Sequence, residues 1–203
     1  EAILTDMNQV LGKSAGHTLE ILECINLMTR KEKDSRLEKI TNELVASILI
    51  MILKISKEEA FKKINEVMSN GLAAEKFEKM VHSLGGPSNI LSSFKNDLKI
   101  VSFKKDIFAQ KKGWVKKINT RELGLILIEL GGGRKKVTDK INFSVGFDNV
   151  ATIGDIIDTS KPLITVYSQT ENDYERLRKK IEDCFVITEN EVSKLPEIYE
   201  VIK

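Results

Sequence analysis

The chain has 203 residues, of which 41% are hydrophobic and 31% are charged, a composition typical of globular and not of disordered proteins. Its 32 Lys and Arg residues nearly balance its 30 Asp and Glu residues, so the net charge of +2 gives no indication of binding to nucleic acid or to a membrane surface. No apolar run reaches the roughly 20 residues of a membrane span, and no signal peptide is visible. Cys24 and Cys184 match no metal or redox spacing. We therefore expect a cytoplasmic protein with reduced thiols and without nucleic-acid or membrane partners.

The first half of the chain predicts a short strand and then helices. Ile3 and Leu4 have the character of the end of a buried strand, and residues 17–84 predict one helix after another. The apolar stripes of the first two helices consist of Leu19, Leu22, Ile25 and Met28, followed by Leu37, Ile40, Leu44 and Ile48. Ser56 predicts the start of a third helix, and Asn70-Gly71 predicts its end and the start of a fourth.

The second half predicts a mixture of strands and helices. Gly85-Gly86-Pro87 should end the helical region. The predicted elements that follow are strands at 98–103 and 113–118, a helix from 119 to 130 that Gly131 stops, two short strands within 150–168, a charged helix at 171–182 and a last strand at 184–188. The fold class is therefore α/β, with a mostly helical part at 1–90 and a small α+β domain at 91–203.

The segment ELGGGRKK (129–136) has the composition of a phosphate-binding loop. However, its glycines follow a predicted helix, and the GK[ST] sequence of a P-loop is absent. We favour a helix C-cap with solvent-exposed Arg134, Lys135 and Lys136.

Other candidate groups are isolated along the sequence. His17 and His82 have no Ser or Cys partner at motif spacing, which favours capping or surface roles. Glu20 and Glu23 lie one helical turn apart, close to the loop at 11–16. A hard monovalent cation could take carbonyl ligands from such a loop and one carboxylate, although from spacing alone a solvated Glu is the simpler interpretation. Trp114, the only tryptophan, is expected to pack in the core.

The pattern IGDIID…KPLITV at 153–166 resembles the swapped hairpins of biotinyl and lipoyl carriers, which form a hammerhead-like fold. Such carriers need an exposed Lys at a hairpin tip, usually between two methionines, and that triplet is absent here. We therefore expect a carrier-like fold without a carrier function.

Four longer segments resemble the thymidine phosphorylase and pyrimidine-nucleoside phosphorylase family. They are LTDMNQVLGKSAGHTLEILE (4–23), NGLAAEKFEKMV (70–81), GWVKKINTRELGLILIELGGGRKKVTDKINFSVGF (113–147) and VATIGDIIDTSKPLITVYS (150–168). Val10 stands where the broader pyrimidine branch tends to have Pro, which favours the thymidine branch. His17 and Thr18 depart from the usual Asn-Ala.

The resemblance implies the C-terminal half of an enzyme about twice this length. Residues 1–90 would be the C-terminal part of its large α/β domain, and residues 91–203 its small α+β domain. The implied reaction is the reversible phosphorolysis of thymidine, with phosphate as co-substrate, to thymine and 2-deoxy-ribose 1-phosphate. The phosphate loop and the base-binding residues of the family lie upstream of Glu1. We therefore assign no catalytic and no substrate-binding residue, and we expect the chain alone to be inactive.

The resemblance also implies a potassium site and a homodimer. The potassium ligands from this region would be the carbonyl oxygens of Leu11 and Ser14 and the carboxylate of Glu23. No cofactor is implied for the chemistry itself. Three alternatives remain at this stage: a broader uridine and thymidine phosphorylase, a non-catalytic module derived from the fold, and a carrier-like domain.

Overall fold

The computed structural model describes residues 1–31 and 35–202, with Ser35 described by its backbone only. Within these residues the chain forms seven α-helices and eight short β-strands. The helices are α1 His17–Met28, α2 Ser35–Leu53, α3 Lys57–Ser69, α4 Leu72–Ser83, α5 Ile90–Asp97, α6 Thr120–Leu127 and α7 Glu171–Glu182. The strands are β1 Ala2–Thr5, β2 Lys104–Phe108, β3 Gly113–Ile118, β4 Gly146–Asp148, β5 Ile156–Ile157, β6 Pro162–Tyr167, β7 Phe185–Thr188 and β8 Ile198–Ile202. Residues 32–34 of the predicted helical region lie outside the described residues.

The chain divides into two compact units. Unit 1 contains Glu1–Thr5, Leu22–Leu98 and Glu197–Lys203, and unit 2 contains Asp6–Ile21 and Lys99–Pro196. These units differ from the predicted division into 1–90 and 91–203, which concerned the domains of a phosphorylase and stays a prediction. No helix in the described part of the chain is both long and apolar enough to span a membrane.

Unit 1 consists mainly of helices that pack around two small apolar clusters. Ala46 of α2 packs with Ala60 and Ile64 of α3, and Ile25 of α1 packs with Ile90 and Phe94 of α5. The predicted succession of four helices is confirmed, although α5 was not predicted, because Gly85-Gly86-Pro87 was interpreted as the end of the helical region.

The predicted helix ends in unit 1 are confirmed where their chemistry is specific. The Ser56 side chain accepts a hydrogen bond from the backbone N–H of Glu59, whose carboxylate accepts from the N–H of Ser56, forming a capping box. Gly71 begins α4 with a φ of 85°, a left-handed conformation that favours glycine. These two signals fixed the positions of α3 and α4 in the sequence.

The strand predicted at Ile3 and Leu4 exists, but its predicted burial is wrong. In β1, the Leu4 side chain is 47% exposed. Strand β1 pairs in antiparallel orientation with β8, with Ala2 opposite Ile202 and Ile3 opposite Val201. Strand β8 was not predicted, and CFVIT is therefore not the last strand.

Helix α2 carries an exposed apolar face in its C-terminal half. The exposed residues recur at helical spacing and include no charge: Leu44, Val45, Ile48, Met51 and Ile52. The opposite side of the helix contributes Ala46 to the contact with α3.

Unit 2 contains two three-stranded antiparallel sheets, with strand orders β2-β6-β4 and β5-β3-β7. Helices α6 and α7 bury their apolar faces in the same core as the sheets, through residues such as Ile126, Leu177 and Ile181. The predicted strand at 113–118 and the predicted charged helix at 171–182 are confirmed. Cys184 is buried in this core, where its S–H donates to the carbonyl oxygen of Lys180 and burial raises its pKa to about 11.

The strand predicted at 98–103 is wrong, and the neighbouring strand is β2 at Lys104–Phe108. Val101 and Phe103 do pack partly buried against the core of unit 2, which explains their alternating pattern. However, their backbones make single hydrogen bonds to Ser144 and Ser168 instead of a ladder. Strand β2 lies at the edge of its sheet, and only Ile107 of its side chains is buried.

The two short strands predicted within 150–168 are confirmed, but the swapped carrier-like hairpin is not. Strand β5 pairs with β3, whereas β6 pairs with β2 and β4, so the two strands belong to different sheets. The turn between them is held by Asp158, whose carboxylate accepts hydrogen bonds from Ser160 and Lys161. These hydrogen bonds, the Ser160 hydroxyl first, lower the pKa of Asp158. At the same turn, the Lys161 ammonium lies 3.3 Å from the Asp155 carboxylate.

Candidate functional site

The segment Asp6–Gly16, which we call the 6–16 loop, is fixed inside unit 2 at its start by two buried polar side chains. The Gln9 amide nitrogen donates to the Asp6 carboxylate at 2.8 Å, and the Gln9 amide oxygen accepts from the backbone N–H of Ile153 at 2.8 Å. Both Asp6 and Gln9 are almost fully buried. Buried polar groups are stable only with hydrogen-bond partners, and here each partner also orders the loop.

The end of the 6–16 loop is fixed by backbone contacts. Ala15 exchanges two hydrogen bonds with Phe147 at 3.0 and 2.7 Å, and the Lys13 carbonyl accepts from Val150 at 2.9 Å. Gly16 lies directly against Gly146: a Cβ atom at Gly16 would come 2.8 Å from the Cα of Gly146. This approach requires glycine on both sides, which explains the glycines of AGH and SVGF together.

Helix α1 begins where the loop ends. The Glu20 carboxylate accepts from the backbone N–H of Gly16 at 2.8 Å, and the N–H of Glu20 donates to the Gly16 carbonyl at 2.9 Å. The N–H of Thr18 donates to the carbonyl of Phe143 at 3.2 Å. Glu20 is therefore a capping residue of α1 and not a solvated side chain without a role.

His17, the first residue of α1, contacts the segment that follows α6. Its Nε2 atom lies 3.1 Å from the carbonyl oxygen of Gly132, and its ring meets the Phe143 ring edge-on at a centroid distance of 5.0 Å. Its predicted surface position is confirmed, since the residue is exposed. The contact with Gly132 was not predicted.

The ELGGGRKK segment ends α6 with a single wider turn, Ile128–Gly132, in which Gly131 has a φ of 97°. The side chains of Arg134, Lys135 and Lys136 are exposed. The backbone N–H groups of Lys135 and Lys136 both donate to one oxygen of Asp139, at 3.0 and 2.9 Å. Because a carboxylate of the chain already occupies these N–H groups, the segment is a helix end and chain reversal, as favoured above.

Glu129 at the start of that turn belongs to an ion-pair group with α7. Lys180 donates to its carboxylate at 3.1 and 3.3 Å, and Arg176 lies 3.6 Å from it. The hydrogen bond from Lys180 is the main cause that lowers the pKa of Glu129. These charges join α6 to α7 at an exposed site, where ion pairs contribute little to stability.

The three predicted potassium ligands lie in the loop and in α1. Leu11 is exposed and Ser14 is buried, both in the 6–16 loop, and Glu23 is a half-buried residue of α1. Hydrogen bonds in this stretch engage the carbonyl oxygens of Met7, Lys13, Ala15 and Gly16. The ligand set stays a prediction.

His82 lies exposed on α4, and Trp114 is half-buried in β3.

One family model, that of the pyrimidine nucleoside phosphorylase C-terminal domain, matches residues 114–188. The chain carries a pyrimidine nucleoside phosphorylase C-terminal domain. The resemblance inferred from the sequence motifs is thereby confirmed. The family consists of glycosyltransferase-type enzymes of pyrimidine metabolism.

The matched phosphorylase domain extends from β3 to β7 within unit 2. It contains the partners of the 6–16 loop: Phe147, Val150 and Ile153. The loop itself lies outside the match. A segment more than a hundred residues earlier in the chain therefore docks on the matched domain.

Two residues that order the loop were not singled out from the sequence. Gln9 is a buried amide with partners on both sides, and Phe147 joins the loop through its backbone while its ring fills the core. A signal for Phe147 existed in the SVGF motif, whereas nothing near Gln9 in the sequence indicates its contact with Ile153.

Replacing Gln9 by alanine should destabilise unit 2 by about 1–3 kcal/mol, because the buried N–H of Ile153 loses the amide oxygen that accepts its hydrogen bond. Denaturant unfolding followed by the fluorescence of Trp114 would measure the change. Asn8→Ala is a suitable control, since Asn8 is exposed and bonds only locally to Asp6. Equal losses for the two variants would contradict the role given to Gln9.

Proposed function

We propose that the chain is the C-terminal part of a thymidine phosphorylase, which converts thymidine and phosphate reversibly to thymine and 2-deoxy-ribose 1-phosphate in nucleoside salvage. The single observation that carries this proposal is the family match at residues 114–188. Val10 in the NQVLG motif favours thymidine over the broader pyrimidine specificity. The enzyme would act in the cytoplasm as a homodimer.

The chemistry of the reaction defines what the rest of the enzyme must supply. Phosphate must be held and aimed at C1′ of the sugar by Lys, Ser and Thr donors. The departing pyrimidine develops negative charge, which cationic or N–H donors must stabilise. We assign none of these roles to residues of this chain, so the chain alone should be inactive.

The contribution of this chain would be a cation site beside the phosphate loop. The carbonyl oxygens of Leu11 and Ser14 and the carboxylate of Glu23 would bind a potassium ion, with further ligands from the upstream segment. Oxygen donors of this kind suit a hard cation. The ion would supply positive charge near the phosphate-binding loop and no redox chemistry.

Three other functions would use the same fold. A broader pyrimidine-nucleoside phosphorylase would act on uridine as well as thymidine, and the residues that make this choice would lie upstream of Glu1. A non-catalytic module derived from the fold would show no turnover in any form. A carrier function would require attached biotin or lipoate, which the intact mass would reveal.

The first test is thymine release from thymidine and phosphate by the 203-residue chain of confirmed mass, beside the longer enzyme that the proposal requires. Turnover by the longer enzyme alone would support the proposal. Turnover by the chain itself would overturn the assignment of the chemistry to upstream residues. Uridine in parallel reactions would separate the two specificities.

The cation site has its own test in the longer enzyme. Glu23→Gln removes the only charged ligand proposed in this chain and should raise the potassium concentration for half-maximal activity by at least about fivefold. Glu20→Gln is the matched control on the same helix, because a glutamine oxygen can still accept from the N–H of Gly16. An unchanged potassium response in Glu23→Gln would reject the ligand role.

A further inference from the structure

The side chain of His17, the residue directly after the 6–16 loop, contacts the turn at Ile128–Gly132. Its Nε2 atom lies 3.1 Å from the carbonyl oxygen of Gly132. Because a carbonyl oxygen only accepts, Nε2 must carry the hydrogen. The His17 ring also packs edge-on against the Phe143 ring, and this contact helps to orient the imidazole.

The turn that His17 contacts is held on its other side as well. The carbonyl of Gly131, the residue before Gly132, accepts from the N–H of Asn142 at 2.8 Å. Two successive carbonyls of the turn are thus bound, one by a backbone N–H and one by the imidazole. Gly132 is buried, and a Cβ there would come 2.7 Å from a side-chain carbon of Leu127, so the turn packs closely against α6.

Two other contacts near the end of the loop use backbone atoms on both sides. Ala15 pairs with Phe147, and the N–H of Thr18 donates to Phe143. Backbone contacts persist when a side chain is changed, whereas the contact between His17 and Gly132 disappears with the imidazole. His17 is therefore the position at which substitution can separate the loop from the turn without removing the backbone pairing.

We propose that His17 is a positioning residue: by donating to Gly132 it fixes the 11–16 segment, which would supply the potassium ligands Leu11 and Ser14, to the glycine turn of the phosphorylase domain. The expected effect of this contact on catalysis rests on the proposed function. The contact itself is a property of unit 2 and is testable without activity.

Three substitutions distinguish the hydrogen bond from general packing. His17→Ala removes the donor. His17→Gln places an amide N–H close to the position of Nε2 and should restore the bond. His17→Asn carries its amide one carbon closer to the backbone, where it cannot reach the Gly132 carbonyl with the same geometry. A role in packing alone would not favour glutamine over asparagine.

The first arm measures amide hydrogen exchange in the 203-residue chain. In His17→Ala, the N–H groups of Asn142 and Ala15 should exchange about 3- to 10-fold faster, as expected for the loss of one hydrogen bond. His17→Gln should return both rates to within about twofold of the wild type, and His17→Asn should not. Unchanged rates in His17→Ala, or equal rates in the Gln and Asn variants, would overturn the proposal.

The second arm measures the potassium dependence of phosphorolysis in the longer enzyme. His17→Ala should raise the half-saturating potassium concentration while kcat at saturating potassium stays close to the wild-type value, and His17→Gln should restore it. An unchanged potassium response beside an active wild type would overturn the positioning role. An inactive wild type would instead reject the proposed function, and the exchange arm would still decide whether His17 fixes the loop to the turn.

Discussion

Replacement of Gly16 by alanine is expected to destabilise unit 2 by about 3 kcal/mol or more. Two costs combine at this position. The backbone φ is +128°, which side-chain-bearing residues rarely adopt, and the new Cβ would come 2.7 Å from the carbonyl oxygen of Val145 and 2.8 Å from the Cα of Gly146. Both obstacles are backbone atoms, so relief requires the loop to move away from β4.

Denaturant unfolding followed by the fluorescence of Trp114 would measure the effect, because the only tryptophan lies in β3 of unit 2. Gly131→Ala is a matched control in the same unit. Its φ of +97° carries a similar conformational cost, but the nearest atom to the new Cβ is 3.8 Å away. The control should lose about 1–2 kcal/mol. Equal losses at the two positions would show that the contact with Gly146 contributes nothing.

The second large effect is expected at Phe147, whose ring is 1% exposed in the core of unit 2. Phe147→Ala should cost about 3–5 kcal/mol, since it removes a buried aromatic ring and leaves a cavity. Phe147→Leu keeps much of the volume and should cost clearly less, about 1–2 kcal/mol. The same fluorescence measurement applies to both variants.

Phe147 also connects stability to the candidate site. Its backbone pairs with Ala15 in all variants, but a cavity behind the strand should loosen that pairing. The N–H of Ala15 should therefore exchange faster in Phe147→Ala than in Phe147→Leu. If the leucine variant lost as much stability as the alanine variant, the shape of the ring and not the filled volume would be decisive.

The sequence predicted the elements whose signals are local. The signals at Ser56 and at Asn70-Gly71 come from neighbouring residues, and α3 and α4 begin where these residues indicate. The strand predicted at 98–103 was wrong because alternation records partial burial, and Val101 and Phe103 are partly buried without being in a sheet. Strand β2 was not predicted, because an edge strand with one buried side chain has almost no apolar pattern.

The parts of the candidate site that could not be predicted depend on long-range contacts. His17 and Gly132 are 115 residues apart, and Gln9 and Ile153 are 144 residues apart. No periodicity or local spacing encodes such pairs. The resemblance to the phosphorylases indicated which motifs matter, whereas the close approach of Gly16 and Gly146 explains why two of those motifs carry glycine.

The rate at which the buried thiol of Cys184 reacts with a labelling reagent would report how often unit 2 opens. A thiol-specific reagent needs the thiolate, and a group with a pKa of about 11 inside a closed core supplies almost none at neutral pH. In a Cys24→Ser background, each labelled molecule would therefore record one event in which the region after α7 came open. Comparing the labelling half-lives of loop variants would show how often unit 2 opens in each variant. No denaturant is needed for this measurement.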